Sequence, residues 1–239
     1  MKNLATFLGG FVLVSCAQLA HGAIQISYSI NGAAPVVCVN SAVSAGPISC
    51  NSISGSGVTV NFITASSNSP GTANLSQTFG STLQISNGAA ATLDVWLSSQ
   101  DFSQPVTPPA LTFAGSLSTT STTGIGTVDA SHCLDTNNGL TPPTTAFCGA
   151  GPLLNNTQEA YNGASSDSQT AKMAINSLTA PFAMSEHIHI VLGANSNLNV
   201  ITSSVLTPVP EPMSVALFGG VILLTSGLIR RKRNQASQL

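Results

Sequence analysis

Hydrophobic and polar positions alternate with a period of two in short runs along most of the chain. Residues 24–30 (IQISYSI), 35–39 (PVVCV), 58–63 (VTVNFI), 82–86 (TLQIS), 93–97 (LDVWL), 110–114 (ALTFA), 187–192 (HIHIVL) and 198–206 (LNVITSSVL) are alternating or β-branched. That is the pattern of strands with one face on a core. Turn dipeptides fall between them, at Asn31-Gly32, Asn87-Gly88 and Asn138-Gly139, and the first, flanked by two strand-like runs, suits a two-residue hairpin. Long amphipathic helices built from Glu, Lys and Leu are absent between the two ends, and no repeat of fixed period is present. The expected fold is all-β, an antiparallel sandwich. Residues 116–168, rich in Gly, Pro, Thr and Asn, read as long surface loops.

The two ends follow a different rule. Lys2 precedes an apolar run at 4–14 (LATFLGGFVLV). A basic residue followed by about ten apolar ones has the form of a secretory signal, and the run is too short for a bilayer span, which takes roughly 20 residues. Ala20 and Gly22 place small side chains two apart, so signal peptidase is expected to cut between Gly22 and Ala23. Leu13-Val14-Ser15-Cys16 offers a competing route, lipidation at Cys16. At the other end, Val209-Pro210-Glu211-Pro212 cannot be helical, because the prolines remove donors and push their predecessors to extended conformations. Residues 213–229 carry no charge and at 1.5 Å per residue span about 25 Å, workable for a bilayer with local thinning and snorkelling. Arg230, Arg231, Lys232 and Arg233 then stop transfer and hold that end in the cytoplasm.

This three-part ending resembles the PEP-CTERM sorting signal of Gram-negative bacteria. The resemblance covers residues 209–233 and is specific, because the Pro-Glu-Pro triplet, the span and the basic cluster coincide in a chain with a signal peptide. It implies that an exosortase recognises Pro210, Glu211 and Pro212 as substrate residues, and that residues 213–229 anchor the chain in the inner membrane until it is cut. It also implies delivery to the surface or the medium and a link to exopolysaccharide. The expected organisation is a signal peptide at 1–22, a β-rich ectodomain at 23–208 and a sorting signal with one transmembrane helix at 209–239.

Charge narrows what the ectodomain meets. Lys172 is its only base, against Asp94, Asp101, Asp129, Asp135, Glu159, Asp167 and Glu186. Nucleic acid, whose phosphates require Lys and Arg, is excluded as a partner. Four cysteines remain after signal cleavage, and outside the cytoplasm an even count points to disulfides. Three pairings exist; the local ones, Cys38–Cys50 and Cys133–Cys148, are favoured, each closing a loop of about 15 residues and contributing about 3 kcal/mol in the chain-entropy model. Zinc fits poorly, since the chain has no CxxC.

The candidate chemistry is sparse. On a strand, His187 and His189 share one face while Ile188 and Ile190 take the other. Two imidazoles so spaced can share a metal, but the sequence nominates no third ligand, so no metal site is assigned. Asp135-Thr136-Asn137-Asn138-Gly139 opens like a calcium loop but has Ala146 where the EF-hand glutamate belongs, leaving an irregular site with Asp129 or an ordinary Asn-Gly turn. In 93–97, Trp96 shares a face with Asp94, an aromatic ring beside a carboxylate that would suit a sugar. No GxSxG, HExxH, P-loop or GxGxxG occurs; no catalytic residue and no cofactor is assigned.

The leading expectation is a secreted, exosortase-processed surface or biofilm-matrix protein, structural or adhesive, linked to exopolysaccharide. The alternative is a glycan-binding module using Trp96 and Asp94, and after it a hydrolase or metalloenzyme. The uncharged runs 24–30 and 58–63 lack the charges that protect sheet edges. Self-association is therefore expected, with Gln25 and Asn61 as the positions where a lysine would oppose it.

Overall fold

The computed structural model describes residues 22–41, 47–140, 147–148, 151–157 and 160–209. The signal segment through residue 21, with the lipidation alternative at Cys16, and residues 210–239, with Pro210-Glu211-Pro212, the apolar span and the basic cluster, lie outside them. Among the described residues there is no helix.

The described residues form thirteen strands: β1 (Ile24–Ile30), β2 (Val36–Ser41), β3 (Ile48–Gly55), β4 (Val58–Ser67), β5 (Ser76–Asn87), β6 (Ala91–Phe102), β7 (Leu111–Thr123), β8 (Ile125–Asp135), β9 (Leu153–Thr157), β10 (Tyr161–Asn162), β11 (Ser165–Ile175), β12 (Phe182–Leu192) and β13 (Asn197–Pro208). They build two antiparallel sheets packed as a sandwich. The first runs β10-β8-β12-β6-β1-β2, with β9 also on β8; the second runs β11-β7-β13-β5-β4-β3. Period-two alternation explains the layering: in β6, Leu93, Val95 and Leu97 are fully buried, while the residues between them face outward.

Short hairpins follow from residues that tolerate positive φ. Asn31 and Gly32 (φ 52° and 69°) make the turn out of β1, but β2 starts only at Val36, so the connection has five residues where the sequence suggested two. Ser56 and Gly57 (φ 48° and 80°) join β3 to β4 directly, where a Ser-Gly pair gave little sequence signal.

Two sequence expectations are corrected. Residues 116–168 are mostly strand, holding the rest of β7, all of β8, β9 and β10, and the start of β11. Several of their inward positions, Thr119, Ser121, Ala130 and His132, carry small or polar side chains, so the alternation has low contrast. The two runs expected at sheet edges are interior: β1 lies between β6 and β2, and β4 between β3 and β5. Gln25 is 5% exposed, and Asn61 donates to Gln84 Oε1 on the neighbouring strand at 3.1 Å. The edges are β2 and β9–β10 in one sheet, and β3 and β11 in the other.

Both local disulfides are present. Cys38–Cys50 joins β2 of the first sheet to β3 of the second, with Cα atoms 5.9 Å apart, and so closes one side of the sandwich. Cys133–Cys148 ties a segment beyond β8 to that strand, with Cα atoms 5.4 Å apart.

The core is cut in two by a polar layer. One apolar cluster contains Leu97, Leu117, Ala130, Ile188 and Val200; the other contains Phe113, Leu134, Met184, Phe182 and Leu206. Between them, at one level of the sandwich, the strands place Gly115, His132, Glu186, Thr202 and Ser204. Glu186 and His132 are cross-strand partners and are both 0% exposed. Ser204 Oγ donates to Glu186 Oε1 at 2.8 Å and lies 2.8 Å from His132 Nδ1, and Thr202 Oγ1 donates to Glu186 Oε2. Burial raises the Glu186 carboxyl to about 7, against bonds from Thr202, Ser204 and the Gly80 and Ser204 amides. Burial lowers His132 to about 4. Two glycines make the room: a Cβ at Gly115 would overlap the His132 ring, and one at Gly80 would overlap Leu97 and Thr202 and crowd Glu186.

Candidate functional site

The outer face of the first sheet collects the side chains that the sequence singled out. Register sets three rows across β8, β12, β6 and β1: Cys133, Ser185, Ser98 and Gln25; Ser131, His187, Trp96 and Ser27; Asp129, His189, Asp94 and Ser29. Strand order brings Trp96 and Asp94 of β6 beside His187 and His189 of β12, although some 90 residues separate them, as in the 93 between Asp94 and His187.

Asp94 is the hub. His187 Nε2–H and His189 Nδ1–H both donate to its Oδ1, at 2.9 and 2.8 Å. Burial alone would raise this carboxyl, but the two imidazoles outweigh it and hold it below its usual 3.8. Both bonds go to the same oxygen. Trp96, half-buried, stacks on His187 with ring centroids 4.9 Å apart and planes within 2°. Below this pair Ser98 and Ser185 share a buried hydroxyl contact at 2.5 Å.

Phe147 also reaches this face, its ring centroid 5.6 Å from that of His187 at a 57° tilt. No hydrophobic pattern or motif in the sequence points to it. The favoured Cys133–Cys148 pairing was the available signal, since it puts the neighbour of Cys148 onto β8.

Metal chemistry finds little support here. The ring centroids of His187 and His189 stand 6.4 Å apart, and one nitrogen of each ring is spent on Asp94. No group of three or more metal-ligating side chains occurs among the described residues. Asp129 and Asp135 lie six residues apart on β8, about 20 Å at strand rise, and cannot share calcium. Asp135 instead accepts from the Asn137 and Gly139 amides at 2.9 and 3.3 Å, the ordinary turn.

An open apolar pocket of about 530 Å³ lies elsewhere, lined by Ile125, Tyr161, Val191 and Leu192 among others. It gathers none of the titratable side chains above.

No family model and no curated protein matches the chain. Among solved structures, it is similar to a family 61 carbohydrate-binding module in complex with β-1,4-galactotriose, at 4% identity and TM-score 0.30, over 61% of this chain and 87% of that one. A β-sandwich carbohydrate-binding module described for promiscuous specificity matches at 9% identity and TM-score 0.29, over 75% and 83%. The glycoside hydrolase domain of Endo-D from Streptococcus pneumoniae R6 matches at 7% identity and TM-score 0.30, over 57% and 18%. Scores this low leave the ligand to be argued from this chain's own residues.

Proposed function

We propose that this protein is a secreted glycan-binding module, and that it binds neutral saccharide chains on the outer face of its first sheet. The observation that carries this reading is the half-buried Trp96 ring stacked on His187 beside the doubly hydrogen-bonded Asp94. A pyranose offers an apolar C–H face to an aromatic ring and hydroxyl protons to a carboxylate oxygen. Charge favours neutral sugars over uronates or sulfated chains: Lys172 belongs to β11 of the other sheet, so no lysine or arginine stands in the three rows of this face. The two disulfides suit an oxidising compartment.

A structural or adhesive matrix role is the weaker reading. It is implied by the sorting-signal resemblance, and the self-association expected with it leaned on exposed edges at 24–30 and 58–63, both of which are interior.

Affinity electrophoresis through neutral glucan, galactan, mannan and xylan, with polygalacturonate and heparin as acidic controls, tests the proposal. Retention in at least one neutral gel and in neither acidic one is expected, with Trp96→Ala losing about tenfold or more in affinity. Equal retention of the Trp96→Ala chain would refute this site.

Delivery rests on the ends of the chain. With Glu211 changed to alanine, an uncut precursor should remain in the inner membrane, read by fractionation and intact mass. A chain of normal mass in the medium would remove the sorting signal from the proposal.

A further inference from the structure

We propose that Phe147, held by the Cys133–Cys148 disulfide, is a wall of this site and extends it from one sugar residue to several; this rests on the glycan reading above. Cys133 points outward in the same row as Ser185 and Ser98, so the bond lies on the face that carries Trp96. β8 and β6 flank β12 on opposite sides. Trp96 therefore approaches His187 from the β6 side, and the disulfide brings Phe147 in from the β8 side.

The placement is enforced rather than loose. Cys148 is buried and has φ 73°, a left-handed conformation that a non-glycine residue keeps only when its surroundings dictate it. The Gly151 amide donates to its carbonyl at 2.8 Å, and the Leu134 amide donates to the Pro152 carbonyl at 3.1 Å, tying the chain beyond it to β8.

The result is an aromatic strip, Trp96–His187–Phe147, running across the strands in steps of 4.9 and 5.6 Å. A monosaccharide covers one step at most. A linear chain lying across the strands can use both, so affinity should grow with chain length, and Phe147 should set how much.

Two readouts test this. The first needs no sugar: the His187 ring resonances in NMR should carry a ring-current shift from Phe147. That shift should vanish in Phe147→Leu and in the Cys133→Ser/Cys148→Ser chain, and persist in the Cys38→Ser/Cys50→Ser chain, whose missing bond lies at the other side of the sandwich. The second is titration with gluco-, manno- and galacto-oligosaccharides of one to six residues. The parent chain should gain affinity from one residue to three, and Phe147→Leu should lose about fivefold to tenfold of that gain while keeping the monosaccharide affinity. A His187 shift indifferent to Phe147 and to the disulfide would overturn the proposal whatever binds, and so would an undiminished chain-length gain in Phe147→Leu. If the shift behaves as stated and no oligosaccharide binds the parent, the glycan reading falls and takes Phe147's binding role with it.

Discussion

Replacing Glu186 with glutamine is expected to give the protein a pH-dependent stability that the parent chain lacks. In the fold Glu186 keeps its proton up to about 7, whereas an ordinary glutamate loses it near 4.5. His132 stays neutral down to about 4, whereas an ordinary histidine gains its proton near 6.5. Between about pH 4.5 and 6.5 the folded chain thus holds one proton more at Glu186 and one fewer at His132 than the unfolded chain. The two linkages oppose each other, so the parent's stability should stay nearly flat. In Glu186→Gln only His132 remains, its pKa depressed by folding. Stability should then rise with pH from about 4 to about 6.5, by roughly 1.4 kcal/mol per unit and about 3 kcal/mol in all. His132→Gln should do the reverse, losing stability as pH rises from about 4.5 to about 7. Asp94, held below its usual 3.8, acts beneath this window. Urea unfolding at pH 4.5, 5.5 and 6.5 reads the slopes, and a flat profile in Glu186→Gln would contradict the account.

The second large effect is expected at Gly115. Glycine inside a strand normally costs stability relative to alanine, by roughly 0.5–1 kcal/mol. Here the sign reverses, because a Cβ would fall on the ring of His132, which is fully buried and tied to Ser204. Overpacking of this kind costs about 1–3 kcal/mol, and displacing the imidazole also strips a partner from Ser204. Gly115→Ala should therefore lose about 3 kcal/mol, a fall in Tm of roughly 10 °C for a domain of this size. Adding His132→Ala removes what the methyl group strikes, so the double variant should be less destabilised than the sum of the singles. A stabilised Gly115→Ala, or strict additivity, would show that the ring moves away freely.

Much of the architecture was legible because several strands carry unambiguous alternation. IQISYSI matches β1 residue for residue, and LDVWL lies inside β6 with its buried and outward faces as expected. Elsewhere the signal faded for physical reasons. The inward positions of β8 include Ala130 and His132, one small and one polar. Most of β11 is exposed at an edge, with only Ile175 fully in the core. The site was half legible. Period two places Asp94 with Trp96 and His187 with His189, but no local pattern reports that β12 lies beside β6, since that pairing depends on the fold of the whole chain. The same alternation sets Glu186 on the face of Ile188 and Ile190, so its burial was legible in the sequence. Phe147 depended on a disulfide whose pairing the sequence left open.

The layer that divides the core also bears on how this chain avoids misassembly. Its strands are rich in interchangeable Ser, Thr, Ala and Gly, so many alignments of one sheet over the other would bury similar apolar area. A displacement of β13 by two residues past β12 would put Leu206 or Val200 in place of one of the two hydroxyls that hold Glu186, and a buried carboxyl oxygen that loses its donor costs more than a lost methyl contact does. A single acidic residue and its hydroxyl partners thus act as a key between the two sheets, making one alignment admissible among many that hydrophobic burial alone would rank as equals.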